Sequence, residues 1–77
     1  MGDGQPAVAA DFGRALRKQR EALGVSQEDL ASRAGLHRTY VSLLERGQRT
    51  ASIEVVRKLA AALGTTMTDL ISGTENP

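Results

Sequence analysis

Five glycines divide this chain into short segments whose apolar residues recur with helical spacing. They are Gly24, Gly35, Gly47, Gly64 and Gly73. Glycine has no Cβ, so it readily adopts the left-handed conformation that often follows the last turn of a helix. The segments between them predict five helices, at about residues 11–23, 26–34, 37–46, 52–63 and 67–72. No alternating pattern of a β-strand interrupts them, which indicates an all-α fold.

Residues that can cap helices stand at the predicted starts. Asp11 can cap the first helix, and Ser26 with Asp29 has the spacing of a capping box at the second. His37 is a weak cap for the third helix. The chain is therefore expected to alternate between helices and tight turns.

The length and composition indicate one compact domain. A chain of 77 residues is short for more than one hydrophobic core, and it has no cysteine for disulfides or thiolate metal sites. We expect a compact five-helix bundle over residues 11–73, a mobile N-terminal tail at 1–10 and a C-terminal tail at 74–77. Neither a membrane-spanning run nor a signal-peptide pattern is seen, so a cytoplasmic, nucleoid-associated protein is expected, with no membrane partner.

The connection between the second and third helices is very short. It consists of Gly35 and Leu36, with His37 at its end. So short a connection makes the two helices cross steeply, which predicts a helix-turn-helix at about residues 26–46. In that arrangement the second helix of the pair can enter the major groove of DNA.

The third helix, predicted at residues 37–46, has two chemically different sides. At 100° per residue, one side carries His37, Tyr40, Val41, Leu44 and Glu45. The other carries Arg38, Thr39, Ser42, Leu43 and Arg46. Arginine can bind a guanine edge, hydroxyls can bind bases or phosphates, and an aliphatic group can meet a thymine methyl. A side that is merely solvated would more often carry Lys and Glu pairs, whereas this one has no acid.

Basic residues are clustered although the formal net charge is only +1. One cluster lies in the first helix and comprises Arg14, Arg17, Lys18 and Arg20. A second group comprises Arg33, Arg38, Arg46 and Arg49. Two interpretations remain open for these clusters, because basic residues on helices either bind nucleic acid or simply form solvated faces.

The string "SQEDLASRAGLHRTYVSLLERGQR", followed by "SIEVVRKLAAALG", resembles the Cro and phage-repressor type of helix-turn-helix regulator. The resemblance covers residues 12–72 and implies the fold of the lambda-repressor DNA-binding domain. Within this family the chain is most similar to the controller proteins of restriction–modification systems. The resemblance therefore implies a transcription regulator that binds double-stranded DNA.

The resemblance also implies roles for individual residues. Those expected to read bases are Arg38, Thr39, Ser42 and Leu43. Those expected near the DNA backbone are Gln27, Tyr40, Arg46, Arg49, Arg17 and Lys18. Core packing is an equal alternative for Tyr40. Leu43 departs from the family pattern, which often has a polar or small residue there.

One pair of charges is expected to be structural. The resembling family pairs an arginine with a glutamate at the positions of Arg20 and Glu45. Arg20 lies at the edge of the apolar side of the first helix, and Glu45 lies beside Val41 on the inward side of the third. We interpret the two as a salt bridge that stabilises the fold.

Apolar residues near the C-terminus predict a homodimer. They are Leu63, Met67, Leu70 and Ile71. One recognition helix reads only a few base pairs, so a second copy would increase discrimination. The alternative is that these residues close the core of the monomer.

Together these patterns predict a homodimeric regulator that binds a palindromic operator and controls its own gene as a controller protein or repressor. Salt should weaken its binding. The alternative is an antitoxin-type protein that binds a partner protein as well as DNA. An enzyme is not expected, because His37 is the only histidine and has no nucleophile or carboxylate beside it in the sequence. No cofactor, metal site or small-molecule effector is predicted.

Overall fold

Five helices and short connections make up the part of the chain that the structure describes. This computed structural model describes the backbone of residues 4–75 and the side chains of residues 8–72. The helices are α1 (Gly4–Leu23), α2 (Gln27–Ala34), α3 (Arg38–Glu45), α4 (Ile53–Leu63) and α5 (Met67–Glu75). Residues 4–75 contain no strand, and the predicted all-α, five-helix fold is confirmed.

The inner helix ends follow the local signals of the sequence. The Ser26 Oγ accepts a hydrogen bond from the Asp29 N–H at 3.0 Å, and the Asp29 carboxylate accepts one from the Ser26 N–H at 3.5 Å, which completes a capping box. Gly35 ends α2 in the left-handed region with φ of 71°. His37 is the N-cap of α3 and makes no side-chain capping hydrogen bond. The helix-turn-helix therefore spans the predicted segment.

The outer helix ends differ from the prediction. The predicted start of α1 at residue 11 is wrong, because the helix begins at Gly4 and Asp11 pairs with Arg14 inside it. The run of alanine and valine before Asp11 favours a helix, and a proline is tolerated in its first turn. The predicted end of α5 at residue 72 is also wrong, since the helix continues through Gly73 to Glu75. One glycine costs a helix only about 1 kcal/mol.

The segments predicted as tails are thus helical wherever the structure describes them. This applies to residues 4–10 and 74–75. Residues 1–3 and 76–77 lie outside the described part of the chain, so the expectation for them stays a prediction.

A single core draws on every helix. Its fully buried side chains are Leu16, Leu30, Val41, Leu44, Leu59 and Leu70. Helix α1 packs on α3 and α5, while α2 packs on α3 and α4. The helix-turn-helix is therefore held between the first and fourth helices, and its position depends on both.

Helix α1 meets the end of α3 almost backbone to backbone. A Cβ added at Gly13 would overlap the carbonyl oxygen of Leu44 and lie 2.6 Å from that of Glu45. In the turn after α3, a Cβ on Gly47 would lie 2.8 Å from the Cα of Ala10, and the φ of Gly47 is +73°. Both glycines are required by this close approach, which sets where α3 ends.

We expect Gly13→Ala to destabilise the protein, although alanine is normally the better residue inside a helix. The added methyl must displace backbone carbonyls, and such overpacking costs about 1–3 kcal/mol. The matched control is Ala22→Gly at an exposed position of α1, where propensity alone should cost about 1 kcal/mol. Urea unfolding measures both, and a Gly13→Ala variant more stable than the parent would contradict the close approach.

Candidate nucleic-acid interface

The two sides of α3 lie in different environments. Val41, Leu44 and Glu45 are buried against the rest of the molecule. Arg38, Thr39 and Arg46 are exposed, while Ser42 and Leu43 are half-buried. The structure therefore brings the four predicted base-reading residues, Arg38, Thr39, Ser42 and Leu43, onto one outward surface. We call this surface, with Arg46, the recognition face.

Two arginines, Arg46 and Arg49, lie at the C-terminal end of the recognition face. The Arg46 Nε donates a hydrogen bond to the backbone oxygen of Ser42 at 3.4 Å. The guanidinium carbon of Arg49 lies 5.5 Å from the centre of the Tyr40 ring, a cation–π arrangement. Tyr40 is half-buried and packs against the core. The ring therefore has a structural role and also holds one arginine beside the recognition face.

Three exposed arginines elsewhere pair with acids on their own helices. On α1, Arg14 pairs with Asp11, and the Arg17 Nε lies 2.9 Å from the Glu21 carboxylate. On α4, an Arg57 nitrogen lies 2.6 Å from the Glu54 carboxylate. These exposed pairs contribute little to stability. They do compensate the charge locally, which favours the solvated-face interpretation for much of the α1 cluster.

The recognition face differs in this respect. Within the described part of the chain, Arg38, Arg46 and Arg49 form no ion pair with a carboxylate. Lys18 on α1 is likewise exposed and forms none there. Arg33 on α2 and Lys58 on α4 are also exposed and unpaired there. Three of the six basic residues without a carboxylate partner in the described structure, Arg38, Arg46 and Arg49, thus lie on α3 or just after it, where a polyanion could approach.

A polar network lies behind the recognition face. The Arg20 guanidinium donates to both oxygens of Glu45, with its Nε at 2.6 Å and its Nη2 at 3.0 Å. Its third nitrogen donates to the backbone oxygen of Val25 at 2.9 Å. The Glu45 side chain is only 2% exposed. The hydrogen bond with Glu45 raises the pKa of Arg20 above its ordinary value, so the arginine keeps its charge.

Gln27 is the third member of this network. Its Nε2 donates to the Glu45 carboxylate at 2.9 Å, and the residue is half-buried. Sequence reasoning assigned Gln27 only to a DNA phosphate and missed this contact, because 18 residues separate the two side chains and no local pattern links them. As the first residue of α2, Gln27 also carries a backbone N–H that has no partner within the helix.

Comparison with known proteins identifies the kind of regulator this site belongs to. A family model described as helix-turn-helix matches residues 16–70. Control protein C.MunI from a Mycoplasma species is 42% identical over 65 residues, which cover 83% of this chain and 88% of that protein. Control protein C.BamHI from Bacillus amyloliquefaciens is 42% identical over 64 residues, which cover 82% of this chain and 79% of that one.

A solved structure agrees. The crystal structure of the restriction–modification controller protein C.AhdI from Aeromonas hydrophila matches with a TM-score of 0.79 and 47% identity, covering 80% of this chain and 94% of that one. This chain belongs to the helix-turn-helix family of transcription regulators. Within the family it is of the controller-protein type, as the sequence resemblance indicated.

The α5 surface of this regulator is smaller than the sequence suggested. Leu63 and Leu70 lie in the monomer core at 8% and 0% exposure, so they are not accessible to a second copy. For these two residues the alternative, closure of the monomer core, is correct. Met67 is half-buried and Ile71 is 39% exposed, and together with Thr68 and Ser72 they line a shallow depression.

None of the helices within the described residues has the length and apolar character needed to cross a membrane.

We expect Glu45→Ala to destabilise this helix-turn-helix regulator strongly. The substitution leaves Arg20 poorly solvated and unpaired, and breaking such a buried pair costs about 3–5 kcal/mol. Arg38→Ala is the matched control, because it removes an exposed charge that has no ion-pair partner in the described structure and should change stability by less than about 0.5 kcal/mol. Thermal unfolding followed by circular dichroism compares them, and equal, small shifts would refute a structural role for Glu45.

Proposed function

We propose that this regulator binds a specific, roughly palindromic operator as a homodimer, with α3 in the major groove. The observation that carries the proposal is the division of α3 into a buried side and a recognition face without acids. Arg38 and Thr39 are exposed at its N-terminal end, and it is the N-terminal part of a recognition helix that contacts base edges. A helix of only eight residues is not stable by itself, so the recognition face is helical because the opposite side of α3 packs against the core.

The residues of the recognition face have complementary chemistry. The Arg38 guanidinium can donate two hydrogen bonds to the N7 and O6 of guanine. The Thr39 and Ser42 hydroxyls can donate to or accept from base edges. Leu43 completes the base-reading set as an apolar contact. These side chains specify the operator, whereas phosphate contacts position the protein on it.

The phosphate contacts are assigned to groups around this face. Arg46 and Arg49 follow α3. Because the Arg49 guanidinium already lies over the Tyr40 ring, the side chain loses less conformational entropy when it binds a phosphate. Gln27 contributes through the first turn of α2, where unpaired N–H groups attract anions. Lys18 and Arg17 on α1 complete the set, with Arg17 exchanging its contact with Glu21 for a phosphate.

The homodimer is proposed to form through α5. The exposed Ile71 and the half-buried Met67 provide the apolar surface there, and Leu63 and Leu70 support it from within the core. Two copies related by a two-fold axis would place their recognition helices about 34 Å apart, one turn of DNA. The operator would then consist of two similar half-sites.

We propose that the protein regulates transcription of its own gene. The relatives C.MunI and C.BamHI are named control proteins, and C.AhdI is named as a restriction–modification controller protein. Operator occupancy would follow the concentration of the protein itself. Binding over a promoter would repress transcription, so the level of the regulator would limit its own synthesis.

We expect selection from random DNA to return a palindrome, and Arg38→Ala to lose the preference at one base pair in each half-site. A bidentate arginine–guanine contact contributes about 1–3 kcal/mol of discrimination. Arg57→Ala, which removes an exposed arginine of α4, should leave the selected sequence unchanged. If the parent protein selects no sequence at low salt, the proposal of a specific operator is wrong.

We also expect Ile71→Glu to weaken the dimer without unfolding the monomer. A carboxylate at this exposed position would be buried without a partner in the dimer, whereas in the monomer it stays in water. Ile53→Glu is the control, because Ile53 is 71% exposed on α4, outside the proposed interface. Sedimentation velocity over a concentration series measures the association, and a parent protein that stays monomeric on operator DNA would exclude the homodimer.

A further inference from the structure

Leu43 is an apolar side chain that does not serve the core. It is half-buried, yet it is not among the partly buried side chains that pack against the core cluster. Tyr40, on the same helix, does pack there. The core cluster therefore does not account for leucine at position 43, and the part of its side chain that is not covered lies on the recognition face.

The neighbours of Leu43 define an apolar stripe within a polar face. Residues four apart on a helix lie one above the other, so Leu43 lies one turn beyond Thr39, whose side chain carries a methyl group. Arg38, Ser42 and Arg46 form a polar stripe beside them. Leu43 thus extends the apolar stripe from the N-terminal part of α3 towards its C-terminal end.

Few groups in DNA suit such a side chain. Leucine can neither donate nor accept a hydrogen bond, so placing it against a polar base edge would leave that edge without a partner and cost free energy. The C5 methyl group of thymine is the largest apolar group on the major-groove edges of the unmodified bases, because cytosine has only a hydrogen on the same carbon. In 5-methylcytosine the same carbon carries the same methyl group.

We propose that Leu43 contacts the C5 methyl group of a pyrimidine at one base pair in each half-site, and that this contact determines specificity there. The inference rests on the proposed operator binding and names the chemical group that one residue recognises. It also makes operator affinity sensitive to cytosine methylation, wherever a cytosine occupies that position.

The test removes the methyl group from the DNA and compares the response of the parent protein with that of Leu43→Ala. Each thymine of the selected operator is replaced in turn by deoxyuridine, symmetrically in both half-sites, and the dissociation constant is measured. Burying one methyl group corresponds to about a fourfold change in affinity per half-site. Because both half-sites are substituted, the parent protein should lose this factor twice, about sixteenfold, at one thymine position, whereas Leu43→Ala should bind the thymine and uracil operators equally.

Two controls isolate the contact. Ile53→Ala removes another exposed aliphatic side chain, on α4, and should keep the parent's preference for thymine over uracil. The unfolding temperature of Leu43→Ala should be only slightly below that of the parent, because Leu43 is half-buried but lies outside the core cluster.

A second arm identifies the source of the methyl group. The sensitive base pair is replaced by cytosine–guanine and by 5-methylcytosine–guanine. If affinity rises from cytosine to 5-methylcytosine as much as from uracil to thymine, Leu43 recognises the methyl group on either pyrimidine. If affinity rises only from uracil to thymine, Leu43 recognises thymine alone. If Leu43→Ala and the parent respond identically to uracil at every position, or neither responds, the proposal is refuted. Failure to select any operator would instead refute the proposed function.

Discussion

The buried carboxylate of Glu45 connects three helices, and the position of the recognition face depends on it. It stands at the last residue of α3, accepts two hydrogen bonds from Arg20 on α1 and one from Gln27 at the first residue of α2. Burying a charge is costly, and here it is offset by a bidentate partner and a third donor. These hydrogen bonds fix the C-terminal end of α3 relative to α1 and α2. The same end of α3 lies next to Gly13 and Gly47, the glycines that allow α1 to approach it closely.

Helix α3 meets two different requirements with eight residues. A helix of that length has little stability in isolation, so its conformation depends on packing its inward side. Val41 and Leu44 supply this packing, which leaves the outward side free of structural duties. That separation would allow outward residues such as Arg38, Thr39 and Leu43 to be replaced while the fold stays the same.

The pairing of charges separates the two groups of basic residues that composition alone could not distinguish. Arg14 and Arg17 have acids of their own helix beside them, so much of the α1 cluster is compensated locally. Around α3 the described structure shows no such acid partner for Arg38 or Arg46, and Arg49 rests on an aromatic ring. Long-range attraction of a polyanion is strongest where such charge is not offset.

The sequence by itself determined the five helices, the inner helix ends and the two sides of α3. These features depend on interactions within one turn, such as the Ser26–Asp29 capping box and the left-handed glycine at position 35. Only the tertiary structure decided which apolar residues of the C-terminal region are buried, and that Gln27 meets Glu45. Whether Leu70 is covered, or Gln27 finds an acceptor, depends on helices that are distant in the chain. Hydrophobic periodicity shows which side of a helix is buried, but it does not show which partner covers it.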